Sequence, residues 1–443
     1  MSIFKAYDIR GRVPDELDEK RARSIGAAFA RFLKARTVAI GRDVRLSSPA
    51  LASAFGEGVR DAGTDVVDIG LCTTPMTYFA AGRYGYDGAA MTTASHNPPA
   101  YNGFKLCREQ AIPLSSETGI REIERMVAAG PQAPPPPQRG ARTPRDIRSD
   151  YLQHVLSFAR SIRPLRVAID AANGSVGTIF ADVAARLPIT VKPLFLEPDG
   201  RFPGHEPNPL RDENLVALQA LVRDSGADLG AAFDGDGDRC LFVDEAGNRV
   251  PNDLLTALIA RDLLSRHPGA AIVYDIRSSW VVREEILRAG GKPIRERVGH
   301  AFIKKTMRDH RAVFGGELSG HAYFRDHYYA DSGLIAFIAV LNVLSASRQT
   351  FSKTLAPLRR YAATGEVNFR VDDKDAILEE IRRRFADARQ DTLDGLTIEY
   401  EDWWFNVRPS NTEPLLRLCA EAKTPERLAS GMDVLLGILG KPG

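Results

Sequence analysis

Residues 87–98 read DGAAMTTASHNP, and they decide how the rest of the chain is interpreted. The run from Gly88 to Thr92 is made of small and apolar residues, which is typical of a buried strand. It leads into Ser95 and ends at Pro98, which can continue neither a strand ladder nor a helix interior. We therefore expect Ser95 on a sharp turn after a core strand, where a hydroxyl can act as a nucleophile. Taken alone, such a turn is more often a helix N-cap, because Ser and Asn are preferred caps.

The composition excludes several classes of protein. The chain has 443 residues, of which 44% are hydrophobic and 26% charged, as in soluble globular proteins of about three or four domains. A formal net charge of +2 gives no reason to expect binding to nucleic acid or to an anionic membrane. No apolar run approaches the roughly 18 residues of a membrane-spanning helix, and the N-terminus shows no signal-peptide pattern. The four cysteines form no CxxC pair, so we expect a reduced, cytoplasmic protein.

Three segments of the chain follow one plan. In each, an apolar strand runs into a turn with helix-capping residues and a helix, and two further strands follow. After the third strand comes an unusual loop, and then an apolar run that we expect to pair antiparallel with that strand. The strands of the three copies are predicted at 38–43, 65–69, 88–91 and 104–107, at 167–170, 189–195, 229–233 and 240–243, and at 272–275, 293–298, 312–314 and 322–324. Strands that alternate with amphipathic helices indicate mainly parallel sheets covered on both faces.

The three unusual loops occupy the same place in this plan. They read TASHNP at 93–98, DGDGDR at 234–239 and GGELSGH at 315–321. In sheets of this kind, ligands bind beyond the carboxyl ends of the strands. Because all three loops lie at the equivalent strand end, we predict that they are site loops.

The rest of the chain sets the predicted domain boundaries. A proline-rich segment at 130–137 is interpreted as a surface spacer near the end of the first unit. The chain after residue 360 breaks the plan, with strands predicted at 367–371, 397–400, 403–407 and 415–421 and helices at 374–388 and 427–439. We therefore predict an α/β fold of three related mixed-sheet βαβαβ-β domains, at 1–143, 144–247 and 248–360, and a smaller C-terminal α+β domain at 361–443.

Asp234, Asp236 and Asp238 place three carboxylates at alternate positions of a loop that also contains glycines. Converging carboxylate oxygens suit a hard cation such as Mg²⁺ or Ca²⁺. An EF-hand is rejected because its sixth position, which requires glycine, holds Arg239, and because the flanking segments are predicted strands. A charged hairpin turn in water is the remaining alternative, but like charges this close repel without a cation. Arg239 adds a positive charge beside the predicted metal, which indicates a shared phosphate.

Two further motifs carry polar side chains on tight loops. Glu317 and Ser319 are spaced to hydrogen-bond neighbouring hydroxyls of a sugar, and the alternative is a β-turn in which Ser319 bonds its own backbone. The segment RPSNTEP at 408–414 carries a guanidinium, two hydroxyls and an amide on a tight loop that contains two prolines. This favours a phosphate-binding loop over a capped turn with a surface arginine. The candidate ligands in this segment are Arg408, Ser410, Asn411 and Thr412.

The motifs AYDIRG, TASHNP, DGDGDR, GELSGH and RPSNTEP follow one another over nearly the whole chain. In this order they resemble the α-D-phosphohexomutase family, most closely its phosphomannomutase/phosphoglucomutase branch. The resemblance implies four domains around a central cleft. It also implies reversible phosphoryl transfer between positions 1 and 6 of a hexose phosphate (mannose and/or glucose) through a phosphoserine and a hexose 1,6-bisphosphate. Mg²⁺ would be the metal, the bisphosphate the activator, and the protein a monomer or homodimer that binds neither nucleic acid nor membrane.

The resemblance also implies a role for each motif. Ser95 would carry the transferable phosphoryl group, and a phosphoserine oxygen would complete the metal site of the three aspartates. Glu317 and Ser319 would contact sugar hydroxyls, and the four residues of the 408–412 segment would hold the phosphate that does not react. Residues implied to transfer protons or to orient phosphate are Arg10, His96, Lys105, Arg239, His300 and His321. Because one loop must hold either end of the intermediate, we expect the fourth domain to move during turnover.

The sequence departs from the family pattern at two positions. Arg277 stands where relatives often carry Lys, and a guanidinium does not release a proton, so an acid/base role there is unsupported. Leu318 stands where the mannose/glucose branch usually has Met and glucosamine-specific relatives usually have Gln. Leucine favours the first branch, and a phosphoglucosamine mutase remains the alternative.

Two other functions compete with a mutase. A metal-dependent sugar phosphatase is disfavoured because the sequence shows one metal-type cluster, whereas two-metal hydrolases need more ligands. A non-catalytic sugar-phosphate-binding protein is disfavoured by the intact Ser95 and aspartates.

Overall fold

The structure is a computed structural model that describes residues 2–130, 136–410 and 415–441. The first unit is a mixed sheet with helices on both faces. Its elements are β1 Ile9–Arg12, α1 Glu19–Leu33, β2 Thr37–Arg42, α2 Ser48–Asp61, β3 Asp65–Leu71, α3 Thr74–Tyr84, β4 Gly88–Thr92, β5 Tyr101–Arg108, α4 Arg121–Ala129 and β6 Arg142–Pro144. Phe29 of α1 and Phe55 of α2 pack in one cluster, and Phe79 of α3 packs in another. The sheet is therefore covered on both sides, as its apolar strands predict.

The second and third units repeat this arrangement. The second contains α5 Arg148–Leu156, β7 Leu165–Asp170, α6 Phe180–Ala184, β8 Ile189–Leu194, α7 Val216–Ser225, β9 Leu229–Phe233 and β10 Cys240–Asp244. The third contains α8 Asn252–Leu264, β11 Ala271–Asp275, α9 Trp280–Arg288, β12 Lys292–Glu296, α10 His300–Asp309, β13 Phe314–Gly316, β14 Ala322–Phe324, β15 Ala330–Asp331, α11 Gly333–Ser347 and α12 Phe351–Leu355.

Strand order confirms the threefold plan. The orders β5-β4-β2-β3, β10-β9-β7-β8 and β14-β13-β11-β12 occur in the three sheets. In each sheet the first strand of the plan pairs parallel with the second and third. The strand after each loop pairs antiparallel with the third, as predicted. Parallel strands thus deliver their carboxyl ends, and the three loops that follow them, to corresponding edges of the sheets.

The second unit differs from the prediction after its first strand. The helix expected directly after this strand begins only as a single helical turn, Ser175–Thr178, which precedes the short α6. Asn173 has a positive φ of 53°, and the Ser175 amide donates to the carbonyl oxygen of Gly235. This segment is tied to the aspartate loop, and that contact competes with helix formation.

The fourth unit has a different topology and a hydrophobic core of its own. Its elements are β16 Ala362–Arg370, α13 Lys374–Arg384, β17 Arg389–Asp391, β18 Leu396–Glu399, β19 Trp403–Pro409, β20 Leu415–Ala422 and α14 Pro425–Leu439. The strands form an antiparallel sheet in the order β16-β20-β19-β18-β17. Trp403, Phe405 and Leu435 belong to its core. The domain limits predicted at 143, 247 and 360 remain predictions.

One large core joins the first three units. Phe180, Phe233 and Phe337 of the second and third units pack with ring centroids 5.7–6.3 Å apart. Phe337 lies on α11, which is buried along most of its length. Within the described residues, no single helix is long and apolar enough to cross a membrane. Among the same residues, only the pair formed by α11 and Phe351–Leu358, which meet at an 89° bend, has the length and apolar composition of a membrane span.

Candidate active site

Ser95 lies at the end of β4, a strand whose five residues are all buried. Its side chain is buried and its φ is +51°, a left-handed conformation that is uncommon for a non-glycine residue. The amide of Asn97 donates to the carbonyl of Ala94, and the amide of Tyr101 donates to that of Pro98. These turns lead directly into β5. The helix N-cap considered for Ser95 is therefore wrong, because residues 96–100 form turns and not the first turn of a helix.

Arg45, which the sequence analysis did not identify, holds the Ser95 loop from beneath. Its side chain is fully buried. Its guanidinium donates to the carbonyl oxygens of Ser95, Asn97, Pro98 and Tyr101 over 2.6–3.0 Å, and it pairs with Asp43 at 3.2 Å. The sequence signal that could have identified Arg45 is its opposite charge to Asp43, in GRDVR at 41–45, at the end of a buried strand. The partners of Arg45 are backbone oxygens, and a sequence does not show which carbonyls will lack a partner.

The aspartate loop connects β9 and β10, and these flanking strands support the rejection of an EF-hand. Asp234, Asp236 and Asp238 are buried, and one ligand oxygen from each lies within 4.8 Å of the others. Oδ1 of Asp236 and Oδ1 of Asp238 have no hydrogen-bond partner among the described residues. Gly237 has a φ of +76°, and a Cβ there would lie 2.5 Å from Val176. The loop thus presents three carboxylates, two with an orphaned oxygen, and this oxygen-only donor set fits Mg²⁺.

The Ser95 loop and the aspartate loop meet directly. Ser95 Oγ donates to Asp234 Oδ2 at 2.8 Å, and Thr74, at the start of α3, donates to Asp236 Oδ2 at 2.5 Å. Lys105 Nζ on β5 donates to Asp236 Oδ2 at 2.7 Å and also to Asp238. The serine hydroxyl, the three carboxylates and an ammonium group therefore share one buried cluster.

Burial and charge shift the pKa values in this cluster. Burial, and then the carboxylates of Asp238 and Asp236, raise the pKa of Asp234 well above its usual range. Burial opposes ionisation of Asp238 as well, but Lys105 and His321 hold its pKa well below the usual range. For Lys105, burial acts to lower the pKa, and the aspartates raise it above its ordinary value. The carboxylates repel one another, and positive charge relieves that repulsion.

The third loop closes the hairpin between β13 and β14. Glu317 is buried, accepts the Gly299 amide on Oε1 at 3.1 Å and accepts the Tyr323 hydroxyl on Oε2. Gly320 donates its amide to the Glu317 carbonyl, which closes the turn. The Ser319 hydroxyl lies 2.9 Å from Nδ1 of His321. Residues 317–320 therefore form the β-turn of the alternative interpretation, but the Ser319 hydroxyl contacts the ring of His321 and not its own backbone.

Arg239 and His321 join the second loop to the third. Arg239 Nε donates to His321 Nε2 at 3.2 Å and lies 3.7 Å from Asp234 Oδ2. Asp238, His321 and Asp331 form a second group that could hold a metal ion, and it shares Asp238 with the first. The structure therefore adds a second, overlapping group of possible ligands to the one cluster that the sequence shows. Lys304 Nζ lies 2.9 Å from Asp331 Oδ1, so this second group already contains a cation.

The other predicted cleft residues surround these loops. Arg10 donates to Asn97 Oδ1 and pairs with Asp8 at 2.7 Å. His96 lies beside Ser95, with Nδ1 3.3 Å from Oγ. His300 begins α10, and its Nδ1 is enclosed without a hydrogen-bond partner among the described residues. Burial, and then neighbouring cations, hold the pKa of His96 and of His300 well below the ordinary value.

A cavity of about 860 Å³ opens in front of the loops and is lined by residues of all four units. Tyr7 and His96 come from the first unit, Arg239 from the second and Ser319 from the third. The fourth unit contributes the basic side chains of Arg408 and Arg417, the hydroxyl of Ser410, and Glu366, which the sequence analysis did not identify. The predicted ligands Asn411 and Thr412 lie outside the described residues.

Comparison with known proteins agrees with this geometry. The family described as "Phosphoglucomutase/phosphomannomutase" matches as alpha/beta/alpha domain I at residues 1–133, domain II at 149–247, domain III at 251–361 and the C-terminal domain at 366–436. The chain is 44% identical over 428 residues to "Phosphohexose mutases" of Xanthomonas campestris pv. campestris, with 96% of this chain and 95% of that protein covered. It is 41% identical over 435 residues to "Phosphomannomutase" of Salmonella typhimurium, with the same coverage.

A solved structure gives the same result for the fold. The phosphoglucomutase/phosphomannomutase family protein of Burkholderia thailandensis superposes with a TM-score of 0.91 at 34% identity, covering 100% of this chain and 98% of that one. The chain belongs to the phosphoglucomutase/phosphomannomutase family, as the motifs indicated. It is a phosphohexomutase, an isomerase of carbohydrate metabolism.

Proposed function

We propose that the enzyme transfers a phosphoryl group reversibly between positions 1 and 6 of a hexose phosphate, with phosphorylated Ser95 as donor and acceptor. The observation that carries this proposal is the 2.8 Å hydrogen bond between Ser95 Oγ and Asp234. It places a buried hydroxyl on the edge of a carboxylate cluster suited to a divalent cation. A serine with only a capping role would need no such neighbour.

The reaction consists of two transfers. In the first, a hydroxyl oxygen of the bound hexose phosphate attacks the phosphorus of phosphorylated Ser95 and gives its proton to a base of the cleft. The P–Oγ bond breaks, and Ser95 Oγ takes up a proton from the cleft to become a hydroxyl. The product is a hexose 1,6-bisphosphate, which reorients in the cleft so that its other phosphoryl group faces Ser95. In the second transfer, Ser95 Oγ gives its proton to a base of the cleft and attacks the other phosphorus. The bond between that phosphorus and its sugar oxygen breaks, and the sugar oxygen takes a proton. Ser95 is then phosphorylated again, so the bisphosphate serves both as intermediate and as activator.

The residues around Ser95 neutralise and orient the transferring group. Asp234, Asp236 and Asp238 would hold Mg²⁺, which supplies charge neutralisation on the transferring phosphoryl oxygens when bound. Arg239 and Lys105 add positive charge at the same cluster, and phosphoryl transfer depends mostly on such positioning and electrostatics. The proton-transfer candidates are His96, Lys105 and His321, whereas Arg10 would orient the phosphate because a guanidinium does not release a proton.

The remaining loops bind the rest of the substrate. Glu317 and Ser319 are proposed to contact sugar hydroxyls, with His300 and Arg239 beside them. Arg408 and Ser410 are proposed to bind the phosphate that does not react, together with Asn411 and Thr412. The same loop must accept either phosphate of the intermediate, so we propose that the fourth unit moves during the cycle.

The proposed hexose is mannose, glucose or both. The name of the Salmonella relative supports mannose, and Leu318 favours this branch over glucosamine. Comparison of kcat/KM for mannose, glucose and glucosamine 1-phosphates, with a trace of bisphosphate present, tests the assignment. A clear preference for the glucosamine substrate would contradict it.

Ser95→Ala tests the mechanism itself. The variant is expected to lose at least about a thousandfold in interconversion of hexose 1- and 6-phosphates, because it removes the nucleophile. Steady release of inorganic phosphate by the wild type, with no activation by bisphosphate, would instead indicate a phosphatase. Near-normal mutase turnover in the variant would refute the proposal.

A further inference from the structure

Glu366 lies on β16 directly after a break in the strand pairing. The register between β16 and β20 shifts between Ala363 and Glu366, and Gly365 has a φ of +68°. An irregularity of this kind re-aims the side chain that follows it. Glu366 lines the central cavity together with Arg408 and Arg417. A carboxylate is thus directed into the part of the cavity that Arg408, Ser410 and Arg417 line.

Three guanidinium groups converge on this carboxylate. Glu366 Oε2 accepts from Arg408 Nη2 at 2.8 Å and from Arg277 Nη1 at 3.1 Å. Glu366 Oε1 accepts from Arg417 Nη1 at 3.3 Å. Burial acts to raise the pKa of Glu366, but the three arginines lower it to about 2. The carboxylate is therefore an anion throughout the physiological range.

The arginines need an anion between them. Arg408 and Arg417 are directly paired across β19 and β20, and like charges in that position repel each other. Arg277 reaches the same point from the third unit, and there it also pairs with Asp275 at 2.6 Å. Several guanidiniums around one small anion is the arrangement that recognises phosphate.

We propose that Glu366 is an internal competitor for phosphate, so that its carboxylate occupies the phosphate position of the cleft and is displaced when a phosphate group binds. This inference rests on the phosphate-binding role proposed above for Arg408. It also accounts for a requirement of the cycle. One phosphate of the bisphosphate intermediate must leave this position so that its other phosphate can bind there. A site that bound phosphate too tightly would retain the first phosphate and prevent this exchange. Glu366 refills the site and so lowers the affinity.

Direct binding of inorganic phosphate to the full chain in Mg²⁺ buffer, measured by calorimetry, tests the proposal without turnover. Glu366→Gln keeps the shape of the side chain but removes its charge, and we expect the Kd for phosphate to fall at least about tenfold. Glu380→Gln, at an exposed position of α13, is the matched control and should bind phosphate as the wild type does. Unchanged or weaker binding by a folded Glu366→Gln variant would overturn the proposal, because a carboxylate that only supports the arginines predicts weaker binding.

Two further variants keep the test decisive. Glu366→Asp retains the charge but withdraws the carboxylate by one methylene group, so it should tighten binding by several-fold, and it replaces Glu366→Gln if that variant does not fold. Arg408→Gln should abolish the binding. If Arg408→Gln binds phosphate like the wild type, the proposed phosphate-binding role of Arg408 is refuted. If Arg408→Gln loses binding but the Glu366 variants do not bind more tightly, only the competitor role of Glu366 is refuted. In turnover, Glu366→Gln should lower KM without raising kcat, and a raised KM would contradict the proposal.

Discussion

Replacing Arg45 by methionine is expected to release the loop that carries Ser95. The guanidinium of Arg45 donates to four carbonyl oxygens of the 95–101 segment and pairs with Asp43. Methionine fills a similar volume with an apolar chain and can form none of these bonds. The substitution therefore isolates the hydrogen bonds from the packing of the side chain.

The magnitude follows from the groups left without a partner. Each buried acceptor that loses its donor costs about 1–3 kcal/mol, and removing one partner of a buried ion pair costs about 3–5 kcal/mol. These two costs overlap, and the loop can turn its carbonyls toward water. We therefore expect the local stability of the 95–101 segment to fall by about 3–5 kcal/mol, which is less than the sum of the two costs. Arg45→Lys keeps the charge and offers three donors, and it should recover about half of the loss.

The assay must report on the first unit. The three tryptophans, Trp280, Trp403 and Trp404, lie outside it, so tryptophan fluorescence would miss the change. Hydrogen exchange of peptides that cover residues 93–104, measured together with kcat, reports on it directly. Arg45→Met should lose protection there and lose about a hundredfold in kcat, since a displacement of about 1 Å can cost that much.

The control for this experiment is Arg201→Met. Arg201 has a side chain that is 73% exposed and pairs with Asp199, so its loss should leave protection and turnover unchanged. If Arg45→Met shows wild-type protection of residues 93–104 and normal kcat, the positioning argument is refuted.

Further expectations concern the metal and pH. In a thermal scan, Mg²⁺ at about 100 times its Kd should stabilise the protein by about 2.7 kcal/mol, and EDTA should reverse this stabilisation. Asp238→Asn should abolish the stabilisation by Mg²⁺, and a variant that is still stabilised would contradict the assignment of Asp238 as a metal ligand. His154 Nε2 lies 3.0 Å from Nδ1 of buried His327, and burial lowers the pKa of His154 from 6.5 to about 4. The unfolded chain therefore binds more protons between these values, and stability should fall as pH drops from about 6.5 to 4. His154→Gln should flatten that slope in acid denaturation curves, and an unaltered slope would show that other groups dominate.

The repeat could be predicted because hydrophobic patterning is a local property. Each third strand is an apolar run of a few residues followed by an abrupt polar loop, and burial of β4, β9 and β13 follows from that composition. The sheet then delivers equivalent strand ends to equivalent positions. For this reason Ser95 and Asp234, which are 139 residues apart, could be expected in one site before their contact was known.

The features that could not be predicted depend on partners distant in sequence. Arg45 is recognisable only when its four carbonyl partners are in place, and Glu366 only when Arg277 from another unit reaches it. The helix expected after the first strand of the second unit is shortened for the same reason, because the hydrogen bond from the Ser175 amide to the Gly235 carbonyl outweighs local helix preference. Local signals describe which segments form strands and loops, whereas tertiary contacts decide where buried charges and strained turns are satisfied.

The separate core of the fourth unit has a consequence for how the enzyme responds to its solution. Contacts from this unit to the third include Arg277 with Glu366, Trp280 Nε1 with Glu399 at 2.9 Å, and Arg295 with Asp391. The partly exposed contacts among these, such as Arg295 with Asp391, exchange with water and salt at little cost, whereas opening an apolar interface would expose surface at about 25 cal/mol per Å². We therefore expect ionic strength to shift the balance between closed and open positions of this unit, while the three units that share one core remain rigid.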